Sequence, residues 1–89
     1  MNGTEKRKEK IVRTVAGMPV PQQRIVYAYA YELLCITRRR LGVDDLPKER
    51  PAPGQIVWVL SEMLDKADRR QMICVQKFAG DVARNFRVG

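Results

Sequence analysis

The chain has 89 residues, of which 45% are hydrophobic and 30% charged, so it can form one domain with a small core and is too apolar for wholesale disorder. Seventeen Lys and Arg residues against ten Asp and Glu residues give a formal net charge of +7. That excess favours an anionic partner, with nucleic acid ahead of an acidic protein surface or an anionic membrane; a basic protein without such a partner is the alternative.

Several classes of chemistry have no support in the composition. Histidine is absent, which removes the commonest catalytic base and metal ligand, and no glycine-rich phosphate loop occurs. Two cysteines without another soft ligand do not build a zinc site. We therefore expect no enzymatic activity, no metal, no cofactor and no small-molecule substrate.

The N-terminal residues and the longest apolar stretch predict a cytoplasmic protein that does not enter a membrane. Residues 1–10 are polar and lack the apolar core of a signal peptide. Residues 25–36 are too few to cross a bilayer as a helix. Cys35 and Cys74 each lie in an apolar run, where a buried free thiol is the default, although a disulfide between them stays open.

A first helix is predicted from residue 4 to about residue 17. Ile11 and Val15 recur at helical spacing, so the second half of this helix has a face to bury. Residues 19–21 (Pro-Val-Pro) predict its end, since the residue before a proline disfavours the helical conformation. The first ten residues are mostly polar, and we expect them to fray.

The apolar stretch at 25–36 predicts a second helix from about residue 22 to 41. The alternating tyrosines at 27, 29 and 31 also fit a strand, but the length and the Ala, Leu, Glu and Arg content favour a helix. Its apolar stripes cover most of the circumference, as in a central helix or a dimer interface. Because the three tyrosines cannot face one core, at least one hydroxyl is expected to reach solvent, a polar group or a partner, with Tyr29 the first candidate.

Residues 43–53 read as a linker with three prolines and five charged residues. Its stiffness is expected to come from the prolines, so it acts as a spacer within a single helical domain that spans residues 1–89.

Two further helices are predicted after the linker. The third runs from about residue 54 to 66, and Trp58 lies off its apolar stripe; packing against helix two or the linker prolines is favoured over an exposed, partner-binding position. Asp68 and Gln71 have the spacing of a capping box, which predicts the start of a fourth helix. Positions 80–81 (Gly-Asp) predict either a break before a short fifth helix or one helix running through.

Together these elements predict an all-α fold, a small bundle of four to five helices around one central apolar helix at about residues 22–41. Three modest helices are not expected to cover that helix, which predicts a homodimer. Its dimer or partner interface is assigned to four aromatic residues, Tyr27, Tyr29, Tyr31 and Trp58.

The basic residues form clusters that carry the main functional signal. Helix two ends with Arg38, Arg39 and Arg40, and positive charge is favourable there because the C-terminal end of the helix dipole is negative. This interaction explains part of the triplet without a binding partner. Arg69 and Arg70 open helix four, where positive charge is unfavourable, so an external phosphate explains them better. The residues predicted to bind nucleic acid or an acidic partner are Arg38, Arg39, Arg40, Arg69, Arg70, Lys77, Arg84 and Arg87.

The second half of the chain carries the motifs R-P-A-P-G-Q-I, W-V-L-S-E-M-L, D-R-R and A-G-D-V-A-R-N-F-R-V-G in this order. Over residues 50–89 this order resembles sigma-region-4-like helix-turn-helix modules and the small phage or prophage regulators that carry one. The resemblance implies a capping acid and paired arginines before a helix, then the first helix of a DNA-binding unit after a glycine. The matching positions are Asp68, Arg69, Arg70, Gly80, Val82, Ala83, Arg84, Phe86 and Val88.

The resemblance stops before a recognition helix. Arg87 stands where a glycine is expected after Phe86, and the sequence stops at Gly89. Because base readout depends on the recognition helix, the leading expectation is a small basic regulator that contacts phosphates. The alternative is a phage- or plasmid-type module that binds and modulates a host or regulatory protein, and a structural subunit of a helical assembly comes third.

A sedimentation measurement tests the predicted homodimer directly. At tens of micromolar, the chain is expected to sediment at twice the mass of its 10.2 kDa monomer. A monomer across that concentration range would contradict the dimer.

Overall fold

The computed structural model describes the backbone of residues 3–40 and 50–85, and the side chains of residues 5–36 and 50–85. Within these ranges the chain forms four α-helices and no strand, which confirms the all-α fold. The elements are α1 (Gly3–Ala16), α2 (Val20–Arg40), a 3-10 turn (Pro53–Gln55), α3 (Ile56–Leu64) and α4 (Arg69–Asn85). Most of the predicted linker lies outside the described residues, and the fraying of residues 1–10 stays a prediction.

A tight corner joins α1 to α2. The buried side-chain amide of Gln23 donates to the carbonyl oxygens of Val15 at 3.1 Å and Met18 at 3.2 Å. These carbonyls belong to the C-terminal end of α1 and the corner after it, where helix carbonyls lack partners within the helix. Gln23 therefore fastens the first turn of α2 to the end of α1 through hydrogen bonds that water does not reach.

All four helices supply one hydrophobic core. Both α3 and α4 pack against α1 and α2, and their apolar side chains meet between them. The buried residues of this core are Ile11, Val15, Met18, Val26, Tyr27, Ala30, Leu34, Ile56, Val59, Leu60, Met63, Leu64, Met72, Val75, Ala79 and Val82.

Helix α2 is buried or half-buried over most of its circumference and leaves one side exposed. Val26, Ala30 and Leu34 point into the core, whereas Ile25 is 36% exposed and Ile36 is 53% exposed. The predicted apolar stripes are present, and the exposed side of α2 also carries Ala28 and Glu32. Along α2, the predicted homodimer would therefore bury these two isoleucines and not a helix that is apolar on every side.

Helix α4 runs without interruption through Gly80. Of the two alternatives at this glycine, the single helix is confirmed and the break before a fifth helix is wrong. Nothing lies within 4 Å of the point where a Cβ at this position would stand. No close contact requires a glycine here. The main effect of Gly80 is therefore to give the unfolded chain more conformational freedom, which favours unfolding.

We expect the substitution Gly80→Ala to raise the free energy of unfolding by about 0.5–1 kcal/mol, since alanine is the better helix former and its methyl group enters open space. The reciprocal change Ala83→Gly, at an exposed position of the same helix, should lower it by a similar amount. Urea unfolding followed by circular dichroism measures both. A loss of stability in Gly80→Ala would contradict the open space at this position.

Candidate nucleic-acid interface

The start of α4 is set by the capping box that the sequence predicted. The N–H of Gln71 donates to Oδ1 of Asp68 at 2.8 Å, and the N–H of Asp68 donates to Oε1 of Gln71 at 2.9 Å. The N–H of Met72 then donates to the carbonyl oxygen of Asp68 at 3.0 Å as the first backbone bond of the helix. This arrangement makes Arg69 and Arg70 the first two helical residues, with exposed side chains.

The capping box changes the interpretation of those two arginines. Positive charge at a helix N-terminus is unfavourable, which predicts an external phosphate on the free N–H groups. The carboxylate of Asp68 already accepts the hydrogen bond of the Gln71 N–H and supplies negative charge at this end. An external anion here would be held by the side chains of Arg69 and Arg70, and not by the helix N-terminus.

The solvent side of α4 carries a line of cations. Arg70, Lys77 and Arg84 recur every seven residues, which is close to two helical turns. They therefore lie on one side of the helix, with their Cα atoms spaced by roughly 10 Å. All three side chains are exposed, while Val75 and Ala79 on the opposite side are buried. We call these three residues the cation line.

Contacts on both sides of α4 orient the cation line outward. On one side, Nη1 of Arg7 in α1 donates to Oε1 of Gln76 at 3.0 Å. On the other, the ring of Tyr29 in α2 stacks on the ring of Phe78, with centroids 4.2 Å apart and planes tilted by 9°. The arc of α4 between Gln76 and Phe78 that faces away from the core is the arc that carries the line.

The members of the cation line differ in how their charge is balanced. Arg84 donates from Nη2 to Oδ1 of Asp81 at 2.8 Å, and both side chains are largely exposed. Neither Arg70 nor Lys77 has an ion-pair partner in the part of the chain that the structure describes. An exposed ion pair contributes about 0–1 kcal/mol, so Arg84 can exchange its carboxylate for a phosphate at little cost.

Helix α1 adds cations that were not among the assigned site residues. Lys8 pairs with Asp65 in the turn after α3. Lys6, Lys10 and Arg13 are exposed and have no ion-pair partner within residues 5–36 and 50–85. The high density of lysine and arginine in this helix was the signal for them in the sequence.

Four of the eight predicted basic residues cannot be placed. The side chains of Arg38, Arg39 and Arg40 lie outside the described side chains, and Arg87 lies outside the described residues. Their assignment to a phosphate-binding surface stays a prediction. The structure brings Arg70, Lys77 and Arg84 together on one side of α4, with Arg69 at its start.

The four aromatic residues assigned to an interface occupy different environments. Tyr27 is 3% exposed and belongs to the core, and the half-buried Tyr31 packs beside it with ring centroids 6.2 Å apart. Tyr29 is half-buried between α2 and α4. Trp58 is 62% exposed, so among the four it offers a partner the most open surface. The interface itself stays a prediction.

The exposure of Trp58 corrects the packing predicted for it. Helix α3 turns Ile56, Leu60 and Leu64 into the bundle, and these are completely buried. Position 58 is rotated to the opposite side of so short a helix, because successive residues advance by about 100°. Packing against α2 or the linker prolines would require the face of α3 that its aliphatic residues already occupy.

Both cysteines are free thiols, with Cys35 buried and Cys74 exposed. The expectation of a buried thiol is confirmed for Cys35 and wrong for Cys74. Burial raises the pKa of the Tyr29 hydroxyl, and the neighbouring Cys74 thiol raises that pKa further. The expectation that at least one tyrosine hydroxyl reaches solvent, a polar group or a partner stays a prediction.

Comparisons with known proteins identify no relative: no family model, no curated protein and no solved structure matches this chain. Among the described helices, none combines the length and the apolarity that a bilayer crossing requires. Within the same residues, no three Cys, Asp or Glu side chains cluster in a way that could hold a metal ion.

The capping box predicts the effect of two matched substitutions. Asp68→Ala should lower the free energy of unfolding by about 1 kcal/mol, because the Gln71 N–H loses its acceptor. Asp68→Asn removes the charge but keeps a side-chain oxygen, and should unfold close to wild type in urea. Equal losses in both variants would show that the hydrogen bond contributes nothing.

The buried Tyr27 predicts a loss of stability at alkaline pH. Burial raises its pKa from 10.0 to about 12, with Tyr31 and Cys35 adding to the shift. The folded state therefore keeps a proton that the unfolded state releases. The contribution of the neutral Tyr27 side chain to the free energy of unfolding is fully present below pH 10 and is lost as the pH rises towards 12.

We expect the stability of the wild-type chain to fall more steeply between pH 10 and pH 12 than that of Tyr27→Phe, which has no hydroxyl to ionise. Urea unfolding at several pH values in this window measures the difference. Parallel curves for the two chains would contradict a raised pKa at Tyr27.

Proposed function

We propose that this chain is a small basic helical regulator that associates with nucleic acid through phosphate contacts. The main observation in support is the cation line of Arg70, Lys77 and Arg84 on the solvent side of α4. Its first two members have no ion-pair partner within the described residues. The resemblance of residues 50–89 to helix-turn-helix regulators favours nucleic acid over other polyanions.

The arrangement of these cations suits a phosphate backbone. A helix held on two sides by α1 and α2 presents its charges at a fixed backbone spacing, so binding costs little backbone conformational entropy. Phosphate contacts position a protein but carry no base information. We therefore expect binding with weak sequence preference, in which Arg69 and the cations of α1 extend the contact surface.

Binding to a short DNA duplex should weaken steeply as salt rises from about 50 to 200 mM, because each phosphate contact releases a counterion. Arg70→Gln and Lys77→Gln should each reduce the slope of log K against log salt by about one. Fluorescence anisotropy with a labelled duplex measures both the affinity and the slope.

The matched control is Arg24→Gln, which removes the same charge from α2 outside the cation line. It should leave the slope close to wild type. No binding at about 50 mM salt would rule out the proposal. If all three substitutions reduced the slope equally, binding would depend on the net charge of the chain and not on the cation line.

The alternative, a module that binds and modulates a host or regulatory protein, is favoured by the exposed Trp58. Tryptophan is among the residues that contribute most at protein interfaces, and this side chain is 62% exposed. If duplex DNA does not bind, a pull-down from the source cell should recover a partner that Trp58→Ala loses and Arg70→Gln retains. A homodimer that buries Ile25, Ile36 or Trp58 is compatible with either function.

A further inference from the structure

A row of exposed residues on α2 is used neither by the core nor by the proposed nucleic-acid surface. Its members recur every four residues, and all of them are exposed. Residues four apart are neighbours on a helix surface, so such a row is one of the ridges through which helices pack against each other. We call it the α2 ridge; its members are Val20, Arg24, Ala28, Glu32 and Ile36.

The α2 ridge has the same order of residue types in both directions, except that its charges have opposite signs. Ala28 lies at the centre, with Arg24 four residues before it and Glu32 four residues after it. Aliphatic residues end the ridge on both sides, since Val20 is 38% exposed and Ile36 is 53% exposed. Read backwards, the ridge therefore shows the same pattern with the two charges exchanged.

The two charges of the ridge are not balanced within the described part of the chain. Arg24 and Glu32 are eight residues apart, which is about 12 Å along the helix axis, and they do not pair with each other. Neither has an ion-pair partner elsewhere among the described residues. Arg50 and Pro51 line a depression together with Arg24 and Ala28, so a second cation lies near the basic half of the ridge. The ridge thus exposes a basic half and an acidic half.

A second copy of this chain matches both halves at once. If two ridges cross in antiparallel directions with Ala28 on the two-fold axis, each Arg24 lies opposite the partner's Glu32, as the symmetry of an isologous contact requires. Alanine at the crossing lets the two helices approach to about 8 Å. Interdigitated four-residue ridges cross at about −50°, which is the commonest helix packing in globular proteins. A nucleic acid, in contrast, would attract Arg24 and repel Glu32.

We propose that the α2 ridge is the contact surface of an antiparallel homodimer, in which two Arg24–Glu32 ion pairs flank the central Ala28 residues. Val20 and the partner's Ile36 lie at each end of the contact. This assigns the dimer to residues other than the four aromatic ones suggested by the sequence. None of the ridge belongs to α4, so the dimer does not depend on nucleic-acid binding. Because one pair of crossing helices is a small interface, we expect a dissociation constant on the order of 10 μM.

Charge reversal tests the pairing. Arg24→Glu and Glu32→Arg each place like charges opposite each other at two points of the dimer, and each should raise the dissociation constant by about tenfold in sedimentation equilibrium. The two changes move the net charge of the chain in opposite directions, so general repulsion between basic chains does not explain a loss in both.

Two combinations should recover the dimer. The double variant Arg24→Glu/Glu32→Arg reverses both members of every pair and should associate as the wild-type chain does. An equimolar mixture of the two single variants should also associate, because one ridge is then acidic in both halves and the other is basic in both halves.

The position of the crossing is tested separately. Ala28→Arg places a large side chain at the centre of the contact and should abolish the dimer, while Ala83→Arg, at an exposed position of α4, should leave it intact. All of these positions are exposed, so each variant should keep the helix content of the wild-type chain, which circular dichroism verifies.

Three results would overturn the proposal. The first is a wild-type chain that stays monomeric at ten times the expected dissociation constant. The second is a double variant that does not recover the dimer. The third is a dimer that Trp58→Ala dissociates and that both charge reversals leave intact, since the second copy would then lie on α3.

Discussion

The packing of α4 against two helices at once is the constraint on which the rest of this structure depends. Its apolar side closes the core, and its flanks are held by the Arg7–Gln76 hydrogen bond and the Tyr29–Phe78 stack. One arc of the helix is left for water. Because charged residues are costly to bury, that arc gathers the cations of α4, and a packing requirement thereby produces a functional surface.

Local features of the fold were predictable from the sequence, and features that depend on a neighbouring helix were not. The Asp68–Gln71 capping box and the corner before α2 involve residues close in the chain, so spacing alone indicates them. Trp58 and Cys74 are exposed because other residues of their helices already occupy the buried side. Periodicity shows that a helix has an apolar side but does not show how wide an arc its neighbours cover.

The candidate sites divide in the same way. Seven-residue spacing was enough to place Arg70 and Lys77 on one side of a helix, but the direction of that side comes from the contacts of α4. Arg24 lies in α2 and Arg50 lies before the 3-10 turn, and no spacing rule relates them, so only the three-dimensional structure shows that they line one depression. In the sequence they are two arginines among seventeen basic residues.

The hydrogen bond between Arg7 and Gln76 joins residues 69 positions apart, which has a consequence for how the chain is made. Helix α1 emerges first during synthesis, yet its buried side is completed by a helix that is translated late. The loop between them must close before the core gains the contacts that compensate for its lost entropy. The two halves of the chain therefore fold together, and Ile11 and Val15 do not reach their full burial until α4 has been translated.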